Sequence, residues 1–233
     1  MYYDSTVLLL IPAFVFTLIV QFRVKHIYKK YAAEPNRRGC SGAETARQLL
    51  DRNGLADVPV EQVSGRLSDH YHPRKRAVRL SEEVYYGRSI AAVSIAAHET
   101  GHAIQHSQRY AALVFRNIFA PVASVSSKFS WILLVGGLFL AASNTGYWRF
   151  GMWLFDIGIV FYVAVLLFQV ITLPVEFNAS KRAREQLNLS GIVYEEENAG
   201  VKRVLSAAAL TYVAAMATAL LTLVRLLLIR GRN

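Results

Sequence analysis

At 233 residues, with 54% hydrophobic side chains and a formal charge of +10, the chain is too apolar for an ordinary soluble domain. Its cations cluster beside apolar stretches and no nucleic-acid-binding motif accompanies them, which suits anionic lipid headgroups and excludes a nucleic-acid partner. The single cysteine, Cys40, excludes an internal disulfide.

The first apolar stretch runs from Ser5 to Phe22, close to the roughly 20 residues that cross a hydrocarbon core. Asp4 is the only charged side chain before it, so the basic start of a secretion signal is missing. Arg23, Lys25, Lys29, Lys30, Arg37 and Arg38 follow at close range. The positive-inside rule therefore predicts a retained anchor over 5–24, with the N-terminus outside and residues 25–117 in the cytoplasm.

Within that cytoplasmic segment, Ser41 to Leu50 reads as a capped amphipathic helix ending near Gly54. Gly65 to Asp69 have turn character, and Ala77 to Leu80 alternate as a short strand does. The strand is the expected edge for pairing with an extended peptide. Ile90 to Ala97 are small and apolar, as a buried helix requires, and His98-Glu99-Thr100-Gly101-His102 continues them.

Two histidines four residues apart lie about 40° apart around a helix and one turn along it, so their imidazoles converge on one metal ion, expected to be Zn²⁺. Glu99 then stands beside the metal-bound water, placed to take its proton and hand it to a leaving amine. A charged carboxylate flanked by histidines on so apolar a helix is costly to bury without a cation, which argues against a chance match.

A catalytic zinc usually has three protein ligands and one open position. The metzincin pattern would supply the third from a glycine and a histidine further on, but those positions hold Gln105 and Gln108. His106 keeps the four-residue spacing, yet its Cα lies about 12 Å along the axis from that of His98, too far for rings that must each come within about 2.1 Å of one ion. A carboxylate from a later helix remains.

The later apolar stretches predict a second span at 125–148, an external turn at Asn144 to Gly151 and a third span at 152–175. Residues 176–203, rich in Lys and Arg, are then cytoplasmic, and a fourth span at 204–229 leaves Arg230 and Arg232 outside, against the positive-inside rule. Glu176 emerges just past Pro174 on the side that holds His98 and His102. That delivery favours a metal ligand over an ordinary interface glutamate, and Ser180 shares its helical face. Glu195-Glu196-Glu197 reads as a solvated acidic face.

Glu176-Phe177-Asn178-Ala179-Ser180 after a span, following the HExxH motif, resembles the YugP-like neutral zinc metallopeptidase family, bacterial membrane gluzincins distantly similar to HtpX and the CAAX prenyl peptidases. Ser68-Asp69-His70-Tyr71, Arg79-Leu80-Ser81-Glu82 and Tyr85 to Ala91 belong to the same resemblance, which covers most of the chain. It implies one catalytic Zn²⁺ on His98, His102 and Glu176, with Glu99 as general base and acid. The wider HtpX-like pattern often has an aspartate where this chain has Ser180, whose hydroxyl would orient a ligand without adding charge.

The expected architecture is a mainly α membrane protein, four transmembrane helices carrying a zincin-like (gluzincin) cytoplasmic catalytic unit with a few short strands. Its expected function is zinc-dependent endopeptidase cleavage of membrane or membrane-proximal proteins at a bacterial inner membrane. Donors for the oxyanion are, by chemistry alone, His70, His72, Arg182 and Tyr194. The partners are a protein or peptide substrate and the lipid bilayer, with room for a homo-oligomer or a regulatory membrane partner. Two readings compete. One is a non-catalytic zinc-binding scaffold or transporter. The other is a site-2-type intramembrane protease, against which Arg88 and Arg109 bracket the motif and Thr100 to Gln108 are largely polar.

Overall fold

The computed structural model describes residues 5–143 and 146–231. Asp4, Asn144 and Arg232, which enter the topology argument, lie outside the described residues. In chain order the helices are α1 (Ile11–Ala32), α2 (Gly42–Arg52), α3 (Glu82–Tyr85), α4 (Ile90–Ser107), α5 (Ala111–Ala142), α6 (Trp148–Ser190) and α7 (Asn198–Gly231). Strands β1 (Val60–Val63), β2 (His70–His72) and β3 (Ala77–Ser81) fall between α2 and α3. The chain divides into two compact units, one of residues 1–19, 115–173 and 212–233, the other of residues 20–114 and 174–211.

Among the described residues, four helices are long and apolar enough to cross a membrane: Thr6–Ala32, Ala111–Ala142, Trp148–Ser190 and Glu195–Gly231. Phe14, Phe22, Ile132 and Phe139 on these helices are each more than half exposed. Large apolar side chains turned outward in this number suit a lipid solvent, and a helix satisfies its backbone hydrogen bonds there without water. In the first unit, Leu134 of α5 packs with Phe155 and Ile159 of α6 and Leu226 of α7. Gly137 permits that packing, because a Cβ there would stand 2.6 Å from the Gly151 carbonyl oxygen. Asp156 on α6 accepts two hydrogen bonds from the Arg230 guanidinium on α7.

The second unit is built around α4. β3 is the middle strand of a three-stranded sheet, parallel to β1 and antiparallel to β2. Ala77 to Leu80, expected at a sheet edge, are therefore the centre of the sheet, and β2 borders it on one side. The physical reason is burial on both faces: Ala77, Val78, Leu80 and Ser81 are all buried, and propensity alone does not distinguish a middle strand from an edge.

One side of α4 packs through Ala92, Ala96 and Ala103 against Val78 and Leu80 of β3 and Leu50 of α2. The other packs through Ala91, Val93 and Ala97 against Ala183 and Leu187 of α6 and Val201 of α7. The run of alanines is what allows neighbours to close on a helix from two sides. α2 is fixed by a capping box, in which the Ser41 hydroxyl accepts from the Glu44 N–H and the Glu44 carboxylate accepts from the Ser41 N–H. α6 continues past Pro174 without interruption to Ser190, so Glu176 and Ser180 lie one helical turn apart on it.

Candidate metal centre

α4 is capped by Ser89, whose hydroxyl accepts from the Ala92 N–H, and carries His98, Glu99 and His102. The two imidazole rings lie 4.8 Å apart, nearly perpendicular. α6 approaches at Gly101, where a Cβ would stand 2.7 Å from the Ala179 carbonyl oxygen. Backbone-to-backbone contact at that point brings Glu176 onto the histidines: its Oε2 is 3.2 Å from His98 Nε2 and 3.5 Å from His102 Nε2.

The ligand atoms of His98, His102 and Glu176 all lie within 4.8 Å of one another, and the group is nearly closed to solvent. Tetrahedral zinc with bonds of about 2.1 Å places its ligand atoms about 3.4 Å apart. The two distances from Glu176 match that edge, and two imidazole nitrogens with one carboxylate oxygen is a donor set zinc favours. The residues present fit the ion.

Glu99 is buried and its Oε2 accepts a hydrogen bond of 2.8 Å from the Tyr71 backbone N–H of β2. Burial pushes its carboxyl above the ordinary value, against the pull of His98, and the charge of Glu176 pushes the same way as burial. A carboxylate whose affinity for protons is raised in this manner is suited to accept one and return it.

The chain matches the model of a family described as "Putative neutral zinc metallopeptidase" over residues 6–231. It is also 48% identical over 229 residues to a protein of Bacillus subtilis (strain 168) named "Putative membrane protease YugP", covering 97% of this chain and 98% of that one. The chain belongs to this zinc metallopeptidase family. With four apolar helices, it is an integral membrane member of it. No solved structure matches the chain.

The other residues singled out in this family member fall in several places. Ser180 faces the site, its Oγ 3.2 Å from His98 Nδ1. His106 points away from the three ligand atoms, its Nδ1 2.8 Å from the Tyr71 hydroxyl. Among the oxyanion candidates, His70 Nδ1 lies 2.7 Å from the Ser68 carbonyl and His72 Nδ1 accepts from the Lys75 N–H. Arg182 donates to Asn178 and Gln108, while exposed Tyr194 precedes the turn at Glu195–Glu197.

Gln105 was legible only as an occupant of the metzincin glycine position, yet it is fully buried beside the site with its Oε1 3.0 Å from His102 Nδ1. A usable signal existed. A polar amide three residues after a candidate ligand, on the same face of an apolar helix, must find partners there. The acidic run also departs from the solvated face expected of it: Glu197 is buried, and its carboxylate accepts from the Arg37 and Tyr194 N–H groups.

Proposed function

We propose that this chain is a membrane-embedded zinc endopeptidase that hydrolyses peptide bonds of membrane or membrane-proximal proteins. The observation that carries the reading is the convergence of His98 Nε2, His102 Nε2 and a Glu176 oxygen, with Glu99 on the adjacent helical position. His98, His102 and Glu176 would hold one Zn²⁺. A bound ion supplies Lewis acidity toward water and a peptide carbonyl.

The chain's own residues do the rest. Glu99 takes a proton from the attacking water at its carboxylate and delivers it to the nitrogen of the departing amine. Its burial excludes competing water and keeps the proton within the site. β2 lies against this centre through the Tyr71 N–H, so β2, and not β3, is the strand proposed to lie along an extended substrate. The backbone recognises any sequence, which suits a protease of broad selectivity.

The zincin-like unit is placed on the cytoplasmic side of the bacterial inner membrane, with the N-terminus outside, from the cations that follow the first span. Thus the targets would be segments presented at the inner face.

The test is cleavage of an unfolded reporter protein by purified, zinc-loaded protein in proteoliposomes, beside Glu99→Gln. Wild type should yield products, while Glu99→Gln should lose at least about a hundredfold in rate, the low end of what a positioned proton carrier contributes, and keep its zinc. Zinc bound by both with no product from either would support the scaffold or transporter reading instead.

A further inference from the structure

We infer that Arg182, Asn178 and Gln105 form a relay of hydrogen-bond polarity that fixes the tautomer of His102 and so presents its Nε2 to the metal. The inference rests on the reading of His98, His102 and Glu176 as ligands, and it adds positioning roles that neither the motif nor the resemblance assigns.

The chain of reasoning starts at a group with no choice. A guanidinium only donates, and Arg182 Nε lies 2.7 Å from the Asn178 side chain, so the atom facing it is the Asn178 oxygen. That same oxygen is 2.9 Å from the Gln105 amide nitrogen, which also lies 2.9 Å from the Val175 carbonyl oxygen. Both oxygens only accept. Rotating the Gln105 amide by half a turn would set an oxygen against two oxygens in a fully buried place, at the full cost of unmade hydrogen bonds. Gln105 Oε1 is thereby aimed at His102 Nδ1, 3.0 Å away. A carbonyl oxygen cannot donate, so His102 carries a proton on Nδ1.

This excludes the neutral tautomer protonated on Nε2 alone, the form that cannot bind an ion through Nε2. Nε2 is the nitrogen that faces Glu176, at 3.5 Å. Orientation and tautomer are set together, by protein groups, without the ion. His98 differs. Its Nδ1 faces the Ser180 hydroxyl at 3.2 Å, and a hydroxyl donates or accepts with equal ease, so Ser180 orients the ring without choosing its tautomer.

The experiment measures zinc affinity of the full chain in detergent by chelator competition, together with nitrogen NMR of ¹⁵N-histidine-labelled, zinc-loaded protein. Gln105→Met removes the acceptor at similar volume and should weaken zinc 10–100-fold, the usual loss when a group orienting a ligand is removed. Ser180→Ala should cost less. Asn178→Asp still accepts from both Arg182 and Gln105 and should stay within a few-fold of wild type. Arg182→Met, at a partly exposed position, should weaken zinc in the same direction as Gln105→Met and guards against a mere folding defect in the buried variant.

The spectra should show His102 in wild type bound through Nε2 with a protonated Nδ1. Zinc affinity unchanged in Gln105→Met, or His102 bound through Nδ1, overturns the relay. If wild type binds no zinc, or binds it undiminished after His98→Ala and His102→Ala together, the ligand reading itself fails and the relay with it.

Discussion

Glu99, His102 and His106 occupy one helix within eight positions, yet their surroundings set them to different tasks. Glu99 is shifted upward by burial, whereas His106 is shifted below the ordinary histidine value of 6.5, first by burial and then by the charge of Arg76. A histidine held below its unfolded value stabilises the fold above that value, and the contribution is lost as pH falls through the depressed one. The His106 ring should therefore titrate below 6.5 by NMR, and thermal stability should decline with acidification in that range. His106→Gln should flatten that part of the decline. An inflection at or above 6.5 would contradict it. At this scale the placing of His98, Glu99 and His102 on one helix was readable from their local spacing. Glu176 needed the topology argument, and Gln105 escaped because its partner Val175 lies 70 positions away along the chain. Glu197 escaped for a related reason: three adjacent carboxylates look alike in a row but point in different directions once the backbone turns, and one is drawn inward by two N–H groups.

At the scale of elements, α4 and α6 meet backbone to backbone at Gly101. Because a Cβ there would meet the Ala179 backbone and not a flexible side-chain tip, Gly101→Ala has to push the two helices apart. The expected cost is about 1–3 kcal/mol in unfolding free energy, with a parallel loss of zinc affinity as Glu176 withdraws from the histidines. Thermal unfolding with and without chelator measures both, and an alanine variant with wild-type zinc affinity would show that the contact does not set the site. The helices and the α2 cap were legible because their determinants are local: apolar length, a serine, a glutamate three residues on. The sheet order was not. β3 was recognisable as a strand, but its place between β1 and β2 depends on pairing with residues that its own sequence does not mention.

For the molecule as a whole, the four apolar helices leave orientation as the question, and Cys40 makes it simple to ask. In a Cys40→Ser background, single cysteines introduced at Leu67 and at Tyr147, both well exposed, should report opposite sides. Leu67→Cys should react with an impermeant thiol reagent only in inverted vesicles and Tyr147→Cys only in intact cells; the reverse pattern would turn the proposed topology over. Arg230, which sits awkwardly with the positive-inside rule, is held by Asp156 on the neighbouring helix, so its charge is already compensated within the protein.

Glu176 stands 78 positions after His98, separated from it by the remainder of α4, all of α5 and most of α6. Both apolar helices are therefore synthesised before the carboxylate that completes the proposed ligand set. On that ligand set, a nascent chain that has finished its HExxH helix would hold only part of the site. Its own biogenesis would then serve in place of a propeptide, with the cutting edge assembled only after the two helices that anchor it have been made.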